Sequence, residues 1–360
     1  MKKIGILTLP IKTNYGGILQ VYALQTFLKR LGYDAWFIKR RWNCEKQTFI
    51  HKVLKVFYHK IVIRKFNAFI NSYIQPQTEI IDTKNKGQSL INKGFDTFVV
   101  GSDQIWRMRY VYGADYNYFL DFTGDSNVKR VSYAASFGVD YWDDDTPELS
   151  VPKVKSLLER FDAISVREKS GVDICQNTFG LKAVQLIDPT LLLDKETYLH
   201  NLNLTIKQKK YVGVYLLDRT DEKIKMVMEL ANTLGFPVKY LNESTTSRFL
   251  PESLKELGKP GVRTWLKGLA EAAFIITDSF HGTAFSLIFE KQFIVIGNEH
   301  RGMARFESIL NLFGILDRLL LPNQEIPLHL LSNRIDYSQI NLIKHIEQEK
   351  SLQFIKTNID

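Results

Sequence analysis

The chain has few cysteines and no long apolar run. Its 360 residues include only two cysteines, Cys44 and Cys175, which stand far apart with no CxxC or Cys/His spacing. This excludes a disulfide framework and argues against a zinc site, so both are expected to pack in the interior. No apolar stretch approaches the roughly 18 residues of a membrane-spanning helix. The opening MKKIGILTLP turns polar too soon for a secretory signal, so a cytoplasmic location is expected.

Signatures of nucleotide and nucleic-acid binding are also missing. The opening Asn14-Tyr15-Gly16-Gly17 is not a GxGxxG fingerprint, so a dinucleotide is not implied. Its glycines suit a close approach to a ligand, which makes Asn14, Tyr15 and Gly16 candidate substrate contacts. The net charge is +9, but no zinc finger, RNP motif or basic low-complexity tail is present. We therefore expect an anionic partner other than nucleic acid.

Basic residues are densest in residues 51–66, HKVLKVFYHKIVIRKF, where they alternate with apolar side chains at helical spacing. Such a segment could make peripheral contact with an anionic membrane, at the inner face of the membrane for a cytoplasmic protein. The alternative is an ordinary amphipathic helix with one packed and one solvated face. The sequence alone does not choose between them.

Strand and helix patterns alternate along the whole chain, which predicts parallel sheets. The expected strands are 3–9, 33–38, 97–100, 131–135, 163–166, 184–186, 211–216, 238–241, 273–277 and 293–296. A turn is expected at 14–17, and the expected helices are 18–31, 221–234, 262–272, 283–289 and 340–357. A polar stretch at 194–210 suggests a boundary between two Rossmann-like α/β domains facing a cleft, 1–200 and 208–330. Residues 331–360 are expected to pack back on the first domain as a C-terminal helix.

The most informative stretch is residues 275–285, IITDSFHGTAF, where polar residues separate a buried strand from an apolar helix. The carboxyl edge of an open α/β sheet is where ligands bind, and helix N-termini favour anions. We therefore expect Ser279 and the amides of Gly282 and Thr283 to hold an anionic substrate. His281 is the candidate acid, base or hydrogen-bond donor to phosphate. A histidine that merely caps and packs at a turn is the alternative.

Residues 99–106, VVGSDQIW, repeat this arrangement in the first half of the chain, and residues 132–138, SYAASFG, resemble it. Ser102, Gln104 and Ser136 are therefore candidate substrate-binding residues at the carboxyl ends of strands. Asp103 is a second candidate for acid or base catalysis. Each of these side chains could instead form an N-cap or an Asx turn.

Three arginines follow predicted strands. Arg167 ends one strand, and Arg301 and Arg305 follow another after a short loop. Because a guanidinium can bind a carboxylate or phosphate through two hydrogen bonds, all three are candidate ligands for an anion. Arg167 could alternatively form a local ion pair with the acidic residue that follows it. Asp188 and Asp278 are interpreted as turn or capping residues.

These stretches together resemble the polysaccharide pyruvyl transferase family. The motifs NYGG with LQVYALQ, VGSDQIW, SYAASFG, SVREKSGV, DPTLLL and TDSFHGTAFSLIF occur in order over residues 4–289. The resemblance implies a GT-B-like fold and transfer of pyruvate from phosphoenolpyruvate to sugar hydroxyls of a bacterial capsule, exopolysaccharide or precursor glycan, free or lipid-linked. It implies a ketal product, released phosphate, and no cofactor or metal. Arg167 matches an arginine associated with the donor's anionic groups, and His281 matches the motif histidine.

One departure from the family pattern leaves the donor open. Some members have Arg-x-His-Gly where this chain has Ser279-Phe280-His281-Gly282, so a donor-binding arginine is missing at Ser279. Arg301 or Arg305 could supply the charge instead, or the chain could use a different donor or bind it more weakly. Two other functions remain as alternatives. One is a GT-B-like glycosyltransferase that uses a nucleotide sugar. The other is a non-catalytic assembly factor that binds glycan or, through residues 52–65, membrane.

Overall fold

The computed structural model describes residues 1–40, 62–81, 84–111, 116–243 and 258–360. The chain divides into two compact units. Unit 1 comprises Met1–Thr48, Ile70–Leu192 and Ile346–Asp360, and unit 2 comprises Phe49–Phe69 and Leu193–His345. Each contains a parallel sheet with helices, which confirms the predicted α/β class. Residues 51–61 of the basic segment lie outside the described residues, so the membrane prediction stays a prediction.

The main sheet of unit 1 has four parallel strands in the order β2-β1-β3-β4. These are β1 (Lys3–Leu7), β2 (Asp34–Phe37), β3 (Thr97–Val100) and β4 (Lys129–Ser132). A parallel pair, β5 (Ser165–Val166) and β6 (Val184–Gln185), joins β4's side through a bridge between Ala135 and Val166. The carboxyl ends of β1, β3 and β4 therefore meet along one edge, with those of β5 and β6 continuing it.

Unit 2 has one five-stranded sheet in the order β11-β10-β9-β7-β8. Its strands are β7 (Val212–Tyr215), β8 (Val238–Tyr240), β9 (Phe274–Thr277), β10 (Gln292–Ile296) and β11 (Leu319–Leu320), all parallel. Thr277 at the end of β9 is in register with Tyr215 of β7 and Val295 of β10. The loops that follow these three strands are consequently neighbours.

The helices and short 3₁₀ turns surround these sheets. Within the described ranges the α-helices, in chain order, are α1 (Tyr15–Arg30), α2 (Arg64–Tyr73), α3 (Lys84–Asn92), α4 (Met108–Val111), α5 (Pro147–Leu158), α6 (Lys169–Phe179), α7 (Lys195–Asn201), α8 (Asp221–Leu234), α9 (Val262–Glu271), α10 (Phe280–Ile288), α11 (Ala304–Leu312), α12 (His329–Ser332) and α13 (Tyr337–Ile359). The 3₁₀ helices are Asn117–Phe119, Asp121–Thr123, Pro189–Leu192, Glu299–Arg301 and Leu316–Arg318. Among the described residues, none of these helices is both long and apolar enough to cross a bilayer.

Three helices, α1, α10 and α13, begin three residues earlier than predicted. The expected turn at 14–17 and the expected helix start at 283 were wrong because side chains cap the first two. Asn14 caps α1 by accepting a hydrogen bond from the Gly17 amide at 3.3 Å, and Ser279 caps α10 in the same way. A side-chain cap satisfies an otherwise unpaired amide of the first turn, so it fixes where a helix begins. The periodicity of apolar residues shows only where the buried face of the helix becomes continuous, which is later than the residue at which the helix begins.

Strand β4 also differs from its prediction of 131–135, because it covers Lys129–Ser132. Ala134 has a φ of 47°, which no strand can accommodate. The chain therefore leaves the extended conformation before Ser136. The terminal helix α13 is longer than the predicted 340–357 and carries the chain from unit 2 into unit 1.

We expect Gly101→Ala to destabilise unit 1 by about 2–4 kcal/mol. Gly101 follows β3 with a φ of +129°, and an added Cβ would lie 2.1 Å from the Tyr133 carbonyl oxygen. Gly94→Ala is the matched control, since Gly94 also has positive φ (+80°) but no atom within 4 Å of the added Cβ. Urea unfolding measures both losses. Equal losses would mean that backbone conformation alone, and not the close contact, requires glycine at position 101.

Candidate functional site

His281 lies in the first turn of α10, directly after β9, and is 7% exposed. Its ring packs edge-on against Phe280, with 5.3 Å between ring centroids. The helix starts close to the strand, because a Cβ on Gly282 would lie 2.2 Å from the Thr277 hydroxyl oxygen. This contact explains the glycine after the histidine. It holds the first turn of α10 against the carboxyl end of β9.

The capping residue Ser279 occupies the amides that were expected to bind an anion. The Gly282 amide donates to the Ser279 hydroxyl at 3.4 Å, and the Thr283 amide donates to the Ser279 carbonyl at 2.9 Å. The prediction that these two amides are open to a ligand was therefore wrong in this structure. Ser279, which is 5% exposed, acts here as a helix cap.

Asp278 connects the loops that follow three neighbouring strands. Its carboxylate is fully buried and accepts hydrogen bonds from the amides of Leu217 (2.6 Å) and Asp218 (3.1 Å). It also accepts from Lys223 Nζ at 2.7 Å and Asn298 Nδ2 at 3.2 Å. The interpretation of Asp278 as a turn residue was too narrow, since its partners lie on other segments. No sequence pattern had indicated Lys223 or Asn298 as part of this cluster.

Arg301 forms a two-point ion pair with Asp218. The Nε–Oδ2 and Nη2–Oδ1 distances are 2.6 and 2.9 Å, and Asn298 Nδ2 donates to the same carboxylate at 2.7 Å. Arg305 is buried and donates to the Arg301 carbonyl. Two of the three sequence-predicted arginines, Arg301 and Arg305, thus lie together after β10. Asp218, which follows β7 as Asp278 follows β9, could have been found by the reasoning that selected Asp278.

The Asp218–Arg301 pair predicts a small acid sensitivity. The hydrogen bond from Arg301 lowers the pKa of Asp218 to about 2, against the opposing effect of burial. A lowered folded-state pKa means that the stabilisation is complete above the unfolded pKa, about 4, and is lost as pH falls toward 2. Because the Asp218 side chain is 39% exposed, we expect less than about 1 kcal/mol.

Urea unfolding of wild type and Asp218→Asn between pH 5 and 2.5 checks this expectation. The difference in unfolding free energy between them should shrink as the pH falls through that range. A difference that is constant with pH would show that the Asp218 carboxylate does not contribute through its charge.

The second cluster lies at the corresponding edge of unit 1. Ser102 follows β3 and is fully buried. Its hydroxyl lies 2.7 Å from the Ala134 carbonyl and 3.2 Å from Asp188 Oδ2, and its amide donates to Gln20 Oε1 at 2.9 Å. Gln20 lies on α1 and carried no sequence signal, because a glutamine in a helix is ordinarily solvated. Ser102 therefore connects β3, β4 and α1 in the interior.

Arg167 is held between two carboxylates. Its Nε donates to Glu168 Oε1 at 2.8 Å and its Nη1 to Asp188 Oδ2 at 3.0 Å, with the side chain 2% exposed. Burial acts to lower the pKa of Arg167, but the two carboxylates and Asp103 raise it above its ordinary value. The ion pair with the following acid is present. The three side chains together carry one negative charge, which disfavours an additional anion at Arg167.

Ser136 and Asp103 also support this network. The Ser136 hydroxyl donates to Glu168 Oε1 at 2.8 Å and accepts from the Gly138 amide at 3.0 Å. Asp103 adopts a φ of 72° and its Oδ1 accepts from the Gln104 amide at 2.9 Å. The Gln104 Oε1 accepts from Arg107 at 3.2 Å. These side chains fold the loop between β3 and α4, and each is at least nine-tenths buried.

The opening motif divides between surface and interior. Asn14 is exposed at the N-cap of α1, whereas Tyr15 and Gly16 are buried in its first turn. Of these three predicted contacts, Asn14 offers a side chain to solvent. The structure thus forms two clusters, one in each unit. Unit 1 holds Ser102, Asp103, Gln104, Ser136 and Arg167, and unit 2 holds Ser279, His281, Gly282, Thr283, Arg301 and Arg305.

Solved structures share the fold of the whole chain at low sequence identity. A UDP-GlcNAc 2-epimerase from Methanocaldococcus jannaschii is 12% identical with a TM-score of 0.50, covering 97% of this chain and 93% of that one. The UDP-GlcNAc 2-epimerase from Neisseria meningitidis bound to UDP-GlcNAc is 11% identical with a TM-score of 0.52, covering 98% and 100%. These similarities establish the fold alone, and that fold is the predicted GT-B-like class.

The sequence itself identifies the family. No curated protein matches the chain. A sequence model of the polysaccharide pyruvyl transferase family matches residues 14–300, a span that includes the unit 1 cluster and the unit 2 cluster except Arg301 and Arg305. Since this match covers most of the 360 residues, the chain belongs to the polysaccharide pyruvyl transferase family.

Proposed function

We propose that the protein transfers a pyruvyl group from phosphoenolpyruvate to two hydroxyls of a sugar in a bacterial surface polysaccharide or its precursor. The observation that carries this proposal is the family match over residues 14–300, which spans the strand, cap and histidine of the unit 2 cluster. The low-identity structural neighbours do not bear on the donor. A lipid-linked acceptor at the inner face of the membrane, reached through residues 51–66, belongs to the same proposal.

The proposed reaction needs one proton donor and two activated hydroxyls. Protonation of the methylene carbon turns it into a methyl group and leaves a cationic centre at the adjacent carbon. One sugar hydroxyl attacks that centre, phosphate departs, and a second hydroxyl closes the ketal. The hydroxyl protons balance the methyl group and the released phosphate. General acid–base catalysis of such steps contributes roughly 10²- to 10⁴-fold.

His281 is the proposed general acid, with Asp103 as a further candidate for acid or base. Support for His281 comes from its position after β9 at the edge where open α/β sheets bind ligands. The network around Asp278 fixes the neighbouring loops, so the imidazole stands on a rigid support. Arg301 and Arg305 are the proposed cations for the donor. They would replace the arginine that some family members have at the position of Ser279.

A transfer assay with phosphoenolpyruvate and a panel of glycans tests the proposal. We expect phosphate release that depends on the glycan, and a glycan whose mass rises by pyruvic acid less one water. Arg301→Gln, read against Arg263→Gln as a control in the same unit, should raise the KM for phosphoenolpyruvate. Consumption of a nucleotide sugar with a hexosyl mass gain would instead identify a glycosyltransferase and end the proposal.

A further inference from the structure

A cavity of about 550 Å³ opens in unit 2 at the amino ends of its strands, the opposite edge of the sheet from His281. Its wall comes from the segments that precede β7, β9 and β10 and from the start of α13. The lining residues are Gln208, Lys209, Lys210, Ala272, Ala273, Glu290, Lys291, Gln292, Arg334, Ile335 and Tyr337. The volume falls in the range of ordinary small-molecule sites.

Lys291 is a buried cation on this wall, with 6% exposure. Its ammonium donates to Gln208 Oε1 at 2.9 Å and to the Ala270 carbonyl at 2.8 Å, both neutral oxygens. An ammonium has three N–H donors, so these two bonds leave capacity for one more acceptor. A buried charge is expensive unless an opposite charge accompanies it. The geometry around Lys291 is therefore suited to an anion, which supplies both a third hydrogen-bond acceptor and the opposite charge.

Two carboxylates near the cavity are paired with lysines, and a third, Asp336, accepts from the Ser338 amide at 2.9 Å and the Ser338 hydroxyl at 2.6 Å. Glu290 lies 3.1 Å from Lys195 and accepts from Asn341, while Glu271 lies 2.8 Å from Lys209. Lys210 and Arg334 are exposed, and among the described residues neither has a carboxylate partner. Three cations thus remain without a paired carboxylate: Lys210, Lys291 and Arg334.

We infer that this cavity binds a small phosphate monoester, with the phosphate against Lys210, Lys291 and Arg334 and the organic part against Ala272, Ala273 and Ile335. Three cations suit a dianion better than a monocarboxylate. The amino end of α13 is capped by the Asp336 carboxylate, which accepts from the Ser338 amide at 2.9 Å, so the three cations alone carry the attraction. The volume exceeds what a phosphate ion fills, and the small apolar side chains offer room for the rest. This inference is independent of the proposed transfer reaction.

Binding of a phosphate in this cavity should be coupled to proton uptake by Lys291. Burial, and secondarily Lys195, lower the pKa of Lys291 to about 8, and Glu290 opposes them. The other charged groups of the wall are Lys209, Lys210 and Arg334, and Tyr337 donates its hydroxyl to the Lys291 carbonyl. A phosphate placed beside this ammonium raises its pKa, so binding at pH 8 takes up a fraction of a proton.

Calorimetry with phenyl phosphate and inorganic phosphate in a phosphate-free buffer tests the inference. Wild type should bind phenyl phosphate more tightly than phosphate, with proton uptake at pH 8. Lys291→Met and Arg334→Ala should each weaken binding by about ten- to a hundredfold. Lys225→Met, an exposed lysine of α8, and His281→Asn should leave it unchanged.

The inference would be overturned by no binding by wild type, by binding unaffected by both cavity variants, or by binding lost with His281→Asn alone. The last would assign the phosphate to the proposed donor site. Because Arg334 is exposed, Arg334→Ala is expected to fold and keeps the test decisive if Lys291→Met does not. Equal affinity for inorganic phosphate would contradict a monoester and the use of the apolar wall.

Discussion

His281→Asn should slow pyruvyl transfer by roughly 10²- to 10⁴-fold while leaving the fold unchanged. Asparagine retains polarity and much of the side-chain volume at a site that is 7% exposed, but it cannot deliver a proton as imidazolium does. The loss should appear in kcat, because proton transfer belongs to the chemical step. Initial rates of phosphate release, with circular dichroism and thermal unfolding of the same samples, measure both parts.

His200→Asn is the control for this substitution, since His200 lies exposed near the end of α7 and contacts Asn201 at 3.3 Å. We expect wild-type rates from it. If His281→Asn kept the wild-type kcat, the histidine would be a packing residue of α10. The alternative that a histidine merely caps and packs at this position would then hold.

Arg167→Met should lower the free energy of unfolding by about 3–5 kcal/mol. The substitution leaves Glu168 and Asp188 facing each other in the interior with no cation between them. Both carboxylates also accept hydrogen bonds from serines of neighbouring loops, Ser136 and Ser102, so they cannot turn toward solvent without breaking those bonds. Urea unfolding of unit 1 measures the loss.

Arg160→Met provides the matched control, because it removes an arginine that lies 3.9 Å from Asp125, whose side chain is fully exposed. An ion pair of that kind is worth less than about 1 kcal/mol. A similarly small loss from Arg167→Met would mean that the buried network does not depend on the guanidinium. Direct donor binding would then be the better account of Arg167.

The carboxyl ends of the strands could be predicted from the sequence, but the residues that pair with the polar side chains there could not. Alternation of strand and helix predicted two parallel α/β domains, because an apolar strand followed by polar residues marks a carboxyl end whatever surrounds it. Thr97–Val100 and Asp221–Leu234 were predicted to the residue. The starts of α1 and α10 were missed because Asn14 and Ser279 act as caps, and a cap is a single side chain rather than a pattern.

The ion-pair partners of the predicted ligand-binding residues could not be obtained from the sequence. Arg167, Arg301 and Asp278 were selected correctly as residues at strand ends, yet their partners Asp188, Asp218 and Lys223 lie 21 to 83 positions away. Such pairs depend on which strands are neighbours, which periodicity does not specify. Two arginines expected to present open charge are consequently ion-paired.

Calorimetric titration with phosphoenolpyruvate tests the central claim most directly, with UDP-GlcNAc and inorganic phosphate as comparison ligands. Because phosphoenolpyruvate is itself a phosphate monoester, the titration uses Lys291→Met, in which binding at the separate cavity is weakened. We predict saturable binding of phosphoenolpyruvate by that variant, weakened when Arg301→Gln is added, with no binding of UDP-GlcNAc. Binding of UDP-GlcNAc without phosphoenolpyruvate would contradict the account and assign the chain to nucleotide-sugar chemistry.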